Sequence, residues 1–146
     1  MFPLNPILSV LVLFMRAPPR IAREVAKSKR QADPKRNASH LDFVRSLPCV
    51  VCGKLPRSEA AHIRVGTDGG MATKPSDKFS VPLCCGPDGC HAKQHRIGEI
   101  TFWANSGIDP MTVAARLWTV SGDEAQGRRA VARARQAARL MENYRI

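Results

Sequence analysis

Acidic side chains are in short supply along this 146-residue chain: 12 Asp and Glu stand against 23 Lys and Arg, a formal net charge of +11 with the histidines neutral. Such an imbalance favours a polyanionic partner, with nucleic acid the default. Long apolar runs are missing too. The nearest approach is MFPLNPILSVLVLFM, which carries no charged leading segment, is interrupted by Pro3 and Pro6, and falls short of the roughly 20 residues a membrane span needs. No transmembrane helix and no membrane partner are expected. A secretory cleavage pattern and internal repeats are also lacking. The five cysteines, Cys49, Cys52, Cys84, Cys85 and Cys90, are odd in number and fall into two clusters. That usage points to metal in a reducing, cytoplasmic compartment rather than to a disulfide framework.

At 146 residues the chain accommodates one compact domain with flanking segments. Met15 opens MRAPPRIAREVAKSKR, a natural start for a basic protein, so residues 1–14 read as an upstream extension that is not part of the native product. Residues 1–38 are expected to form a mobile basic arm, transiently helical from Ile21 to Lys29. Residues 39–120 form the domain proper, and residues 121–146 a basic C-terminal helix.

Within the domain, SHLDFVRSLP predicts a short helix with Ser39 as N-cap, Leu41, Val44 and Leu47 at helical spacing, and Pro48 as the stop. AAHIRV and FSVPLC predict two strands of a hairpin joined by the glycine-rich loop GTDGGMATKPSD. A single helix is expected from His91 to about Ser106, burying Ile97, Ile100, Phe102, Trp103 and Ala104 and ending at Gly107. Asp109 and Pro110 open a further helix. DEAQGRRAVARARQAARLMENY predicts the last, with an apolar stripe of Val131, Ala134, Ala138 and Met141. Trp103 and Trp118, at helical spacing with aliphatic neighbours, are expected in the core. The fold class is therefore α+β.

Two residues between Cys49 and Cys52 let both thiolates turn toward one centre, as in four-ligand structural zinc sites. Cys90 and either Cys84 or Cys85 supply the second pair, with GPDG as the turn that joins them. His91 and His95 lie four apart on the predicted helix, which places their Cβ atoms about 5–6 Å apart on one face, suitable for two imidazoles on one metal.

In order, LPCVVCG, AAHIRVGTDGGMATKPSD, VPLCC and CHAKQHRIGEITFW resemble the HNH nucleases, the ββα-metal class, and within it a phage and prophage group related to the RecA-dependent nuclease. The resemblance covers roughly Ser39 to Trp118. It implies a small hairpin-plus-helix core with a structural Zn²⁺ site and flanking helices, acting as a divalent-metal-dependent DNA endonuclease in the cytoplasm of a bacterial or phage-infected cell. By this resemblance His62 is the general base, while His91 and His95 hold a catalytic Mg²⁺ or Mn²⁺ against a phosphate oxygen. Arg64, Lys74 and Lys93 would meet phosphate near the site. The arginine-rich tails, Arg128 and Arg129 among them, would grip the DNA backbone without reading sequence. A RecA-type recombinase filament is a further partner the resemblance raises.

Two positions depart from the family pattern. Ala61 stands where many HNH nucleases carry a further metal ligand. The usual asparagine that orients the base is replaced by a candidate, Asp77, that lies farther from Cys84 than the family spacing, the in-register residue being nearer Phe79. Two other readings follow from these departures and from the charge: a non-catalytic zinc-binding DNA-binding module, and a basic RNA-binding or ribosome-associated zinc protein.

Overall fold

A computed structural model describes residues 33–56 and 58–144. The proposed upstream extension, most of the basic arm and its helix from Ile21 to Lys29 lie outside the described residues. All described elements belong to the unit Pro34–Ile146. They run α1 (Ala38–Ser46), β1 (Ser58–His62), β2 (Ser80–Cys84), α2 (Cys90–Ile97), α3 (Glu99–Ser106), α4 (Pro110–Thr119) and α5 (Glu124–Asn143). This is a mixed α+β architecture with a two-stranded sheet and five helices among the described residues. None of those helices is long and apolar enough to cross a membrane.

β1 and β2 pair antiparallel, from Ser58 opposite Cys84 to His62 opposite Ser80. The first strand begins and ends earlier than AAHIRV suggests. Past His62 one more backbone bond follows, from Ile63 N–H to Phe79 O at 2.9 Å, and the chain then leaves the sheet for its long connection. β2 is buried along its whole length, because α1, α2 and α4 all pack against it. Val44, Leu47, Val50, Val81, Leu83 and Leu117 are wholly buried and form the centre of the core. Each such side chain contributes about 1.5–3 kcal/mol relative to leaving it in water.

Asn37, not Ser39, caps α1: its side-chain oxygen accepts the His40 N–H at 3.0 Å. The buried face of that helix is His40, Phe43 and Val44, while Leu41 is half-buried. The helix expected from His91 to Ser106 is two helices. Gly98, at φ 87°, breaks it and turns α3 so that Phe102 and Trp103 enter the core while Ile100 points to solvent, 71% exposed. Trp118 also departs from expectation, at 41% exposed. The face of α4 that meets the core is Val113, Ala114 and Leu117, and the next residue lies about 100° further round the helix. Trp118 there sets its ring edge-on to His40, centroids 4.8 Å apart. Of the stripe on α5, Val131 is buried, but Met141 is 66% exposed.

The long basic helix α5 reaches α1 through Gly127. A Cβ there would lie 2.7 Å from Phe43 Cζ and 2.9 Å from a Leu47 methyl, and both partners are locked in the core. Gly127→Val is expected to lower unfolding free energy by about 2–3 kcal/mol, because overpacking a closed contact displaces buried neighbours. A urea titration measures this.

Candidate functional site

Two centres share the hairpin and α2. The first is built of sulfur. Gly53 N–H donates to Cys49 O at 2.8 Å and Cys49 N–H to Lys54 O at 3.1 Å, closing a tight knuckle. Val50 N–H donates to Pro82 O at 2.9 Å and pins that knuckle to β2. Gly53 has φ 78°, which only glycine adopts cheaply. It also makes room for Arg135, whose guanidinium reaches across from α5 and donates to Cys52 O at 3.0 Å.

Cys84 ends β2 and Cys90 starts α2, and Cys90 N–H donates to Cys84 Sγ at 3.2 Å. The sulfurs of Cys49, Cys52, Cys84 and Cys90 all lie within 4.8 Å of one another, with Cys52 and Cys84 at 3.5 Å. Four sulfurs about 2.3 Å from one tetrahedral ion stand roughly 3.8 Å apart. The set can therefore hold a metal such as zinc. Of the two cysteines left open by sequence, Cys84 joins the cluster and Cys85 does not. Burial, then the neighbouring Cys49 sulfur, pushes the Cys90 thiol well above the ordinary thiol range. A bound cation offsets that cost by stabilising the thiolates, and binding releases their protons.

The second centre is built of imidazole and carboxylate. His62, at the end of β1, places Nε2 2.8 Å from Asp77 Oδ1. Asp77 reaches it despite its sequence distance because residues 76–79 form a turn, closed by Phe79 N–H to Ser76 O at 3.0 Å and by the Ser80 hydroxyl on Asp77 O. The Asp77 carboxylate is almost wholly buried and accepts two more bonds, from Asn37 N–H at 2.8 Å and Arg36 Nη1 at 3.2 Å. Burial draws this acid upward, but the bonds from Asn37, His62 and Arg36 together outweigh it and leave its pKa lowered. Asp77 is thus an anion at neutral pH, and the His62 nitrogen facing it is N–H. For His62 burial is the largest influence and lowers its pKa below 6.5. The Asp77 bond opposes that shift, while the charges of Lys74 and Arg36 reinforce it.

On α2, His91 Nε2 and His95 Nε2 stand 3.1 Å apart. Two nitrogens about 2.1 Å from one ion at adjacent coordination angles are separated by roughly 3.0–3.4 Å, so this pair also fits a metal. His91 Nδ1 meets the carboxylate of Glu59 on β1. His62 and His95 line one cleft of about 370 Å³ together with Arg64, Gln94, Gly98 and Glu99. The Glu99 carboxylate accepts Arg64 N–H through both oxygens, at 3.0 and 3.1 Å, and so holds the chain as it leaves β1. Ala61 is buried in the core.

The other residues singled out from sequence are exposed but scattered. Arg64 is at the cleft. Lys74 acts on His62 by charge. Lys93 is on α2, and Arg128 is paired with Glu124 one turn back. Arg129 lines a separate groove between α4 and α5 with Arg116 and Arg133.

Sequence reasoning missed Arg36, Asn37, Glu59 and Glu99. Arg36 and Asn37 fall in what reads as a loose basic arm, yet residues 35–37 are pinned: Asp77 N–H donates to Lys35 O at 2.8 Å, and Arg36 also donates to Pro75 O at 2.7 Å. A buried anion recruited the nearest donors, and nothing in local composition signals it. Glu59 lies just before the strand read from sequence, AAHIRV, and only the structure, by starting β1 at Ser58, places this acid inside it.

A family model described as a protein of unknown function, DUF968, matches residues 16–117. No curated protein and no solved structure matches the chain.

Proposed function

The chain belongs to the DUF968 family of unknown function, and we propose that it is a divalent-metal-dependent DNA endonuclease of the HNH, ββα-metal class that hydrolyses phosphodiester bonds. One observation carries this reading: a histidine held by a buried carboxylate and a histidine from a converging imidazole pair open onto the same cleft. The order of elements supports it. A hairpin strand ends in His62, its partner strand ends in Cys84, and the following helix brings His91 and His95.

His62 has the right form for a general base. With Nε2–H given to Asp77, Nδ1 keeps its lone pair and takes the proton of an attacking water, and the buried carboxylate stabilises the imidazolium that results. Arg64, exposed beside His62 and His95, offers a positive charge to the phosphate. His91 and His95 would hold the divalent cation, which would supply Lewis-acid stabilisation of negative charge on the phosphate. Cys49, Cys52, Cys84 and Cys90 would hold a structural zinc, which would tie the end of β2 to the start of α2 and so steady the helix that carries both histidines. The groove carrying Arg116, Arg129 and Arg133 suits the DNA backbone, a contact that positions without reading sequence.

Supercoiled plasmid incubated with the purified protein in Mg²⁺, Mn²⁺ or EDTA tests the reading. Nicking in either metal, none in EDTA, is expected. A protein that shifts DNA in a gel yet leaves it intact, even after a recombinase filament is added, would instead be a non-catalytic zinc-binding module. The burial of Ala61 at the family's usual ligand position is the observation on that side.

A further inference from the structure

Glu59 is a half-exposed acid on a strand, 53% accessible at its side chain, and water would serve it well. Instead its carboxylate sits on His91 Nδ1. A neutral imidazole has one N–H and one lone pair, so a carboxylate at Nδ1 sets Nδ1–H and leaves the lone pair on Nε2. That lone pair faces His95 Nε2 at 3.1 Å. Two nitrogens so close are stable only with a proton or a cation between them.

We propose that Glu59 is a positioning residue that holds His91 in the Nδ1–H tautomer and aims its Nε2, beside that of His95, at a divalent cation. The inference rests on the cation site of the nuclease reading. One ring cannot present both nitrogens to the same ion, so Glu59 acts through His91 and does not itself ligate. The carboxylate also supplies negative charge next to two neutral ligands. This matters because Ala61, buried in the core, supplies none. Carboxylates behind metal-bound histidines fix ring orientation in this way, and losing one typically weakens metal binding about 10–100-fold.

The test uses the full chain with zinc in its cysteine centre and Mn²⁺ as the probe, its free fraction read by electron paramagnetic resonance. Wild type, Glu59→Gln, His91→Ala, His95→Ala and the Glu59→Gln/His91→Ala double variant are titrated, with zinc content and thermal unfolding measured for each. The expected result is a roughly 10–100-fold weaker Mn²⁺ affinity in Glu59→Gln, with zinc content and unfolding unchanged. In the His91→Ala background, Glu59→Gln should add nothing. Wild-type affinity in Glu59→Gln, alongside losses in His91→Ala and His95→Ala, would overturn the role of Glu59 and leave the cation site standing. An equal loss from Glu59→Gln with and without His91 would overturn it as well, since the acid would then act independently. Absence of any Mn²⁺ binding by the wild type would remove the cation site and this inference together.

Discussion

His62→Ala is expected to lower metal-dependent plasmid nicking by about 10²–10⁴-fold, the usual contribution of a general base, with zinc content and thermal unfolding little changed. Asp77 keeps its bonds from Asn37 and Arg36 in that variant, so the buried anion is not orphaned. Asp77→Asn is the sharper probe. An amide can donate to Nε2, which would move the ring proton to Nδ1 and remove the lone pair on which the proposed general-base role depends. A loss of roughly 10²–10⁴-fold is again expected, by wrong tautomer instead of missing ring.

The pH profile carries a sign that follows from the same contacts. Burial lowers the His62 pKa below its ordinary 6.5, so less of it is protonated at any given pH. Nicking should rise with pH through a midpoint below 6.5 and level off before neutrality. Asp77 opposes this lowering, through its hydrogen bond and its charge. In Asp77→Asn the residual activity should therefore show its acid limb at still lower pH. Asp77 itself, lowered from 3.8, stays ionised across this range. A limb at or above 6.5 in the wild type, or one unmoved in Asp77→Asn, would count against His62 as the titrating base.

Removing the metal from the cysteine centre is expected to unfold the hairpin and its following helix. Structural zinc sites of this kind contribute about 10–16 kcal/mol of apparent binding free energy, against a typical domain stability of about 5–15 kcal/mol. The cluster joins the Cys49–Cys52 knuckle, the end of β2 and the start of α2. Loosening it frees three segments at once, and Arg135 loses its hold on Cys52 O. A strong chelator or Cys90→Ser should abolish the near-ultraviolet dichroism of buried Trp103 and reduce helix content. Elemental analysis separates the two candidate ligands: Cys84→Ser should lose its zinc and Cys85→Ser should retain one ion per chain. Retention in Cys84→Ser with loss in Cys85→Ser would reverse the assignment made by the structure.

Legibility from sequence followed the range of the interaction. CVVC and CCGPDGC announced a sulfur centre, because a knuckle needs only a short turn between its ligands. His91 and His95 were legible through the helical period, and Asp109 and Pro110 through local capping chemistry. The hairpin was legible in outline, but its ends moved, since pairing is settled by which residues of β1 and β2 meet and by the helices that cover β2.

What sequence determined by itself is the basic charge, the mixed α+β class, the two cysteine clusters and the identity of the histidines. Tertiary structure alone chose Cys84 over Cys85, broke the long helix at Gly98, left Trp118 at the surface and brought Glu59 to His91. It also folded Arg36 and Asn37 back onto Asp77. The physical reason is common to all of these. Each depends on groups far apart in the chain finding the geometry that a buried charge, a shared ion or a packed face requires, and no local pattern of residues encodes that distance.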